Sequence, residues 1–324
     1  MERYLTRLHV NGMKAAIINQ YGSSQELQIQ DVPKPEVDTH DVLIRVQAAA
    51  INPVDTKVRD GSMKLLLFGS FPKILGADCA GVVEAVGLMV TDLQPGDRVV
   101  ASVGPTGGAY AEYVSANEKF VAKLPDSIEF AQAAAMPVAA GTALQGMRDK
   151  GHLRPNDRVL INGASGGVGT YAVQLAKGMG AYVTAVCSAD NAALVRQLGA
   201  DVVIDYKTTD FTKLPEQYEL VFDAVGKSSF DACRAILTDE GTYVTTIPSP
   251  KQLVEQVVTI FTKQKAESIL FSFTREDMNW LLKQAAEGKL RSVIDKTYPL
   301  SQVAQAHDYS ETGRAKGKLV LLMD

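Results

Sequence analysis

The segment RVLINGASGGVGTYAVQLAKGMGAYVTAVCS, Arg158 to Ser188, constrains this chain more than any other. It opens on a short apolar run, Val159-Leu160-Ile161, and passes through a glycine-rich turn into a stretch of helical periodicity. A second β-branched run, Val183 to Val186, follows. Such a strand–turn–helix–strand unit is the setting in which a glycine-rich turn cradles a dinucleotide. Ala164-Ser165-Gly166-Gly167-Val168-Gly169 follows the G-x-G-x-x-G pattern with alanine in the first position. Gly166 and Gly167 let the backbone approach a pyrophosphate, whose charge is met by free amides at the helix N-terminus. Gly169 lets the helix pack closely on its strand. Gly166, Gly167, Val168 and Gly169 are therefore the expected cofactor-binding residues of the turn. The bland alternative is a tight turn that holds no ligand.

The second strand ends at Ser188, where a preference for NAD usually places Asp or Glu against the ribose hydroxyls. A carboxylate there repels the extra phosphate of NADP, and a serine does not. Ser188 and Asn191 are expected to donate to that phosphate, with the hydroxyl of Tyr206 added from the end of the next strand. Asp190 cuts against this reading, and no Arg or Lys stands between Ser188 and Asn191. NADPH is the expected cofactor.

The remaining composition mostly excludes. A net charge of -4 gives no bulk attraction to nucleic acid or to an anionic membrane. No apolar run reaches the ~18 residues of a transmembrane helix. The three cysteines, Cys79, Cys187 and Cys233, lie far apart without metal spacing, which suggests reduced thiols and a cytosolic protein. No metal site is expected. None of the four histidines has a persuasive catalytic context, and there is no G-x-S-x-G elbow.

Residues 1–12 read as an optional extension without the apolar core of a signal peptide. From Met13 to about Lys123, short apolar runs are punctuated by Pro33, Pro35, Asn52-Pro53, Pro72 and Pro95-Gly96-Asp97, as in a barrel-like β domain. Strands and helices alternate from Arg158 onward, as a doubly wound parallel sheet requires. The expected division is 13–130 plus 275–324 for the first domain and 131–274 for the dinucleotide-binding domain. Val254, Val257, Val258 and Phe261 fall on one helical face and are most simply core. Ile269-Leu270-Phe271-Ser272-Phe273 reads as an edge strand able to pair across a homodimer.

Several blocks in one order carry a family resemblance: INPVDTKVRDG (Ile51 to Gly61), GADCAGVVEAVG (Gly76 to Gly87), QPGDRVV (Gln94 to Val100), GGAYAEYV (Gly107 to Val114), AAAMPVAAGTALQGM (Ala133 to Met147) and ASGGVG. From Met13 the chain resembles the medium-chain dehydrogenase/reductase superfamily, in its zinc-free quinone oxidoreductase and alkenal reductase branch. The resemblance implies an α/β fold, with an N-terminal GroES-like β-barrel-type domain and a Rossmann domain. Zinc-dependent alcohol dehydrogenases hold catalytic zinc through an early cysteine and a histidine in a Gly-His-Glu block. Asn52 and Ala77 stand in those places here, and the four-cysteine structural lobe is missing.

Without zinc, the implied acceptors are small molecules that delocalise the incoming charge, namely quinones and α,β-unsaturated carbonyls. The protein then supplies orientation, a dry pocket and a donor to the developing enolate or phenolate oxygen. In zinc-free relatives the substrate sits beside the nicotinamide between the two domains. Lys57 and Asn52 are the expected donors. Lys57 competes with a reading as a solvated surface lysine, and Asn52 with a reading as a turn residue before Pro53. Family position places Thr142, Val225, Leu270, Phe271 and Ser272 at the nicotinamide, and Gly317-Lys318 in a block whose lysine approaches the cofactor. The alternatives are an enoyl-thioester reductase of the same superfamily and a non-catalytic NADPH-binding protein.

Overall fold

A computed structural model describes residues 12–65, 67, 70–104, 107–247 and 249–323. Most of the expected N-terminal extension, 1–11, lies outside the described residues, as do Leu66, Phe68 and Gly69 of the loop 62–71. The chain forms two compact units, one running to Ala135 with Lys296–Arg314 and the stretch from Leu319 onward, the other spanning Met136–Asp295 with Ala315–Lys318.

The first unit is β-rich. Its strands are β1 (Gly12–Ile18), β2 (Gln28–Pro33), β3 (Asp41–Ile51), β4 (Lys73–Ile74), β5 (Asp78–Val86), β6 (Arg98–Ser102), β7 (Tyr113–Asn117) and β8 (Val121–Lys123). Helices α1 (Pro53–Arg59), α2 (Phe130–Ala134) and, late in the chain, α9 (Val303–Glu311) accompany them. Among the described residues, β2-β1-β4 form one small sheet. A larger sheet runs β15-β16-β3-β5-β6-β8, with β7 also on β3, where β15 is Ile294–Pro299 and β16 is Lys318–Leu322. Gly81 is required where β5 crosses β3, because a side chain there would strike the Arg45 carbonyl.

The second unit is a parallel sheet in the order β11-β10-β9-β12-β13-β14. These strands are β9 (Arg158–Asn162), β10 (Tyr182–Cys187), β11 (Val202–Asp205), β12 (Tyr218–Asp223), β13 (Leu237–Thr245) and β14 (Lys265–Ser268). Parallel strands are covered on both faces, so their sequences are continuous apolar runs. Val159, Leu160, Ile161, Val183, Val186, Leu220, Val221 and Phe222 are all fully buried. The helices are α3 (Pro137–Gln145), α4 (Gly167–Gly178), α5 (Ala192–Gln197), α6 (Phe230–Cys233), α7 (Pro250–Val258) and α8 (Arg275–Ala286). Strand order reverses between β9 and β12, and the crevice beyond their C-terminal ends is where such sheets bind ligands.

The compact units divide after Ala135 and Asp295, where the sequence placed 130 and 274. Helix α8 stays with the second unit through Asp277, which accepts from Gln145 Nε2 at 2.9 Å and Arg148 Nη1 at 2.6 Å. Two expectations are corrected. The edge strand is β14, Lys265–Ser268; Ile269 N still donates to Thr245 O of β13 at 3.0 Å, and beyond it the chain leaves the sheet, with the Ser272 backbone bonded to the Gln145 side chain. Finally, Val254, Val257, Val258 and Phe261 are exposed rather than core.

Candidate active site

The glycine turn sits at the C-terminal end of β9. Gly163 has φ +80°, and Val225, in the loop after β12, lies directly over it, 2.5 Å from where a β-carbon would be. The two loops at the sheet's switch point are thus in contact. A β-carbon on Gly169 would collide with the Gly163 carbonyl and the Ala164 backbone, so this glycine serves helix–strand packing. Gly166 differs: it is extended, and a β-carbon there would meet only the Gly163 oxygen, at 3.4 Å. It caps α4 without a side chain, so Gly167 and Val168 begin the helix with no side-chain acceptor on their amides. An open cradle at a helix N-terminus fits an anionic phosphate. Gly317 and Lys318 close one side: Gly317 N donates to Ser165 O at 2.9 Å, and the buried Lys318 stem packs 3.1 Å from the position of a Gly167 β-carbon.

At the ribose end, Ser188 follows β10 and makes no capping bond with its side chain. Tyr206 N donates to Cys187 O at 3.2 Å, which sets the exposed tyrosine beside Ser188. Asp190 is exposed. Asn191 departs from expectation. Its Nδ2 donates to Ser165 Oγ at 3.0 Å, while its Oδ1 is buried without a partner. An orphaned acceptor suits a ribose hydroxyl, not the phosphate to which Asn191 was expected to donate.

On the other side of the unit, Thr142 is buried in α3 beside Gly141, and any side chain on Gly141 would strike the Phe271 ring. Gln145, one turn on, donates to Ser272 O at 2.7 Å and accepts from Ser272 N at 3.2 Å. This pins the segment that carries the exposed Leu270 and Ser272 and the half-buried Phe271. Thr142, Phe271 and Ser272 are therefore brought together, as are Val225, Gly317 and Lys318 around the turn. Asp223, which sequence reading missed, organises the Val225 loop. Its fully buried carboxylate accepts from Asn162 Nδ2, the amides of Val225, Gly226 and Ser228, and Tyr243 Oη, at 2.8 to 3.2 Å. Burial and the Asp223 charge push the Tyr243 hydroxyl well above its usual pKa, so it stays a donor. The available signal was an acid ending the apolar run LVFD. Gln145 had none.

In the first unit, Asn52 and Asp55 lock α1. Asn52 N donates to Asp55 Oδ2 at 2.8 Å, and Asn52 Nδ2 to Asp78 Oδ2 at 3.0 Å. Asn52 is 1 % exposed, which corrects its assignment as a substrate donor: its amide holds the loop to β5. Lys57, on the same helix, is partly exposed. Beneath α1 runs a buried chain. Arg59 Nη1 lies 3.3 Å from His307 Nδ1, His307 Nε2 lies 3.4 Å from Tyr110 Oη, and Tyr110 Oη donates to Asp55 Oδ2 at 2.9 Å. Guanidinium can only donate, so Nδ1 accepts and the proton sits on Nε2.

Burial first, then the Arg59 charge, depresses the His307 pKa to about 3. Between its ordinary 6.5 and about 3, the unfolded chain binds a proton that the folded chain refuses. Stability is therefore whole above pH 6.5 and falls toward pH 3, by at most about 1.4 kcal/mol per pH unit from this group. His307→Gln should flatten the dependence of the urea midpoint on pH between 6.5 and 4. An unchanged slope would assign the acid sensitivity to other groups.

Among the described residues, no three His, Cys, Asp or Glu side chains converge as a metal site requires. Residues 38–126 match the family model described as alcohol dehydrogenase GroES-like domain, and 198–321 the one described as zinc-binding dehydrogenase. The chain is 35% identical over 322 residues to the chloroplast envelope quinone oxidoreductase homolog of Arabidopsis thaliana, covering 95% of this chain and 98% of that protein. It is 36% identical to that plant's chloroplastic NADPH-dependent alkenal/one oxidoreductase, over 95% of this chain and 79% of the relative. The solved quinone oxidoreductase of Coxiella burnetii superposes with a TM-score of 0.88 at 34% identity, covering 97% of this chain and all 100% of that one. With the glycine turn at the sheet's switch point and likeness along nearly its whole length, the chain belongs to the medium-chain dehydrogenase/reductase superfamily, in its quinone oxidoreductase branch.

Proposed function

We propose that this chain is a reductase that delivers hydride from NADPH to quinones or α,β-unsaturated carbonyls. The observation that carries the reading is the open Gly166 cradle at the N-terminus of α4, in a chain whose full-length relatives are named quinone and alkenal/one oxidoreductases. The dihydronicotinamide supplies the hydride when bound. The chain's part is to hold it: α4 amides and Lys318 at the phosphates, Asn191 Oδ1 at a ribose hydroxyl, and Thr142, Val225 and Phe271 at the ring. Ser188 in place of a strand-end carboxylate, with the Tyr206 backbone bonded to the adjacent Cys187, favours NADPH over NADH. A homodimer in a reducing, cytosolic setting completes the proposal.

Lys57 is the proposed donor to the enolate or phenolate oxygen, held by the capped start of α1. Lys57→Ala is expected to lower kcat/KM for the acceptor by about tenfold or more while leaving the Kd for NADPH within about twofold. Unchanged kinetics would return Lys57 to a solvated surface role. The reaction itself is tested by NADPH and NADH oxidation with EDTA-treated protein and a panel of quinones and enones. Turnover favouring NADPH supports the reading. Binding without turnover on that panel would redirect it to a thioester substrate or to a non-catalytic role.

A further inference from the structure

One side chain holds the segment that follows β14. Ile269 N donates to Thr245 O at 3.0 Å, and beyond it the chain leaves the sheet. Gln145, buried at the C-terminal end of α3, then stands in for a neighbouring strand. Its Nε2 donates to Ser272 O at 2.7 Å and its Oε1 accepts from Ser272 N at 3.2 Å. A single amide thus satisfies both backbone groups of Ser272. One residue earlier, the Phe271 ring lies on the backbone of Gly141, 2.1 Å from where a β-carbon would be. Gly141 precedes Gln145 by four positions on α3, so the seat of the ring and the clamp share one helix face.

The amide of Gln145 can sit only one way. Its Nε2 also donates to Asp277 Oδ2 at 2.9 Å. Turned over, it would set Oε1 against that carboxylate and the Ser272 carbonyl with no proton between them. Asp277 is itself fixed: it is buried on the first turn of α8, and its amide donates to Thr274 Oγ1 at 3.1 Å. Arg148 donates to both carboxylate oxygens, Nη1 to Oδ1 at 2.6 Å and Nη2 to Oδ2 at 3.2 Å. It stands in the π-helical turn Gly146–Lys150 after α3, a widened turn of the kind frequent at functional sites. An apolar residue at 145 would fill space but leave Ser272 unheld. The polar series adds a fixed register for Ser272 and, beside it, a fixed seat for Phe271.

We propose that Gln145, oriented by Asp277 and Arg148, is a positioning residue for hydride transfer. By clamping Ser272 it seats Phe271 as a wall near Thr142, and that wall decides which face of the dihydronicotinamide meets the acceptor. The inference rests on the proposed reductase reading, which places Thr142 and Phe271 at the ring. Phosphates held at α4 anchor only the far end of the cofactor, and rotation about the glycosidic bond leaves the ring free to turn over. A surface fixed against one face excludes that rotation and supplies the orientation the transfer needs.

Gln145→Met keeps the length of the side chain and removes both bonds to Ser272. In the cofactor-free chain, hydrogen exchange read by mass spectrometry should quicken about tenfold in the peptide containing Ser272. The Kd for NADPH should stay within about threefold, because the phosphate end is intact, while kcat falls about tenfold or more. Facial selectivity is the readout that a purely structural role would not move. With NADPH deuterated at one C4 position or the other, the wild type should transfer the label from one only, and Gln145→Met from both. Gly141→Ala reaches the same ring with Gln145 intact: alanine suits a helix better than glycine, but its β-carbon displaces Phe271, and selectivity should again be lost. Transfer from a single position in Gln145→Met overturns the inference, as does the same result in Gly141→Ala. Gln145→Glu, which loses the donor to Ser272 and sets a charge against Asp277, replaces the methionine variant if that chain does not fold. A wild type that transfers no hydride from NADPH overturns the reductase reading and this inference with it, whereas selective variants of a selective wild type overturn this inference alone.

Discussion

Gly166→Val is expected to lose NADPH binding and keep its fold. Gly166 has φ -83° and ψ -178°, an extended conformation open to any residue, so valine brings no backbone strain. Its β-carbon would meet only the Gly163 oxygen at 3.4 Å, an ordinary contact. The added methyl groups project instead into the space over the first turn of α4, where the pyrophosphate must approach the amides. The Kd for NADPH, read by fluorescence titration, should rise about 100-fold or more, equivalent to about 3 kcal/mol. The urea midpoint should stay within error of the wild type. Gly169→Val is the control, because its side chain collides with the Gly163 carbonyl and the Ala164 backbone and should damage the fold itself. Retained NADPH affinity in Gly166→Val would show that the phosphates bind elsewhere.

Asp223→Ala is expected to cost about 3–5 kcal/mol of stability, the range for breaking a buried charged network on one side. It strips the acceptor from five donors at once: Asn162, Tyr243 and the amides of Val225, Gly226 and Ser228. Water cannot replace it easily, because Asp223 is fully buried. The amide bonds hold the loop that sets Val225 over Gly163, so NADPH affinity should fall along with stability. Urea unfolding gives the first quantity, and titration below the transition gives the second. A loss of stability with NADPH affinity unchanged would make Asp223 a core anchor with no part in shaping the site.

The parts of the site legible in the sequence are those whose chemistry is local. The turn at Gly166 to Gly169 could be read because each glycine answers to a requirement within one strand–turn–helix unit. The strands β9 to β12 could be read because parallel strands bury both faces and become continuous apolar runs. Asn52 was ambiguous for the opposite reason. Whether its amide meets a ligand or Asp78 depends on a residue 26 positions away, on another strand. The same holds for Asn191, whose donor turns to Ser165 across the two loops, and for Gln145, whose two side-chain bonds hold Ser272 in a segment expected to be a strand.

Periodicity showed that α7 is amphipathic but not which way it faces. The spacing of apolar residues places a stripe on one side of the helix axis, and what packs against the helix decides whether that side points inward or outward. Here Glu267 and the backbone of Ala266 offer polar partners to Gln256 and Thr259, and the valines turn outward. The sequence by itself determined the sheet class, the phosphate cradle and the family. Only the tertiary structure decided the Asp223 anchor, the His307 proton chain and the outward face of α7, because each depends on partners that the chain brings together only when folded.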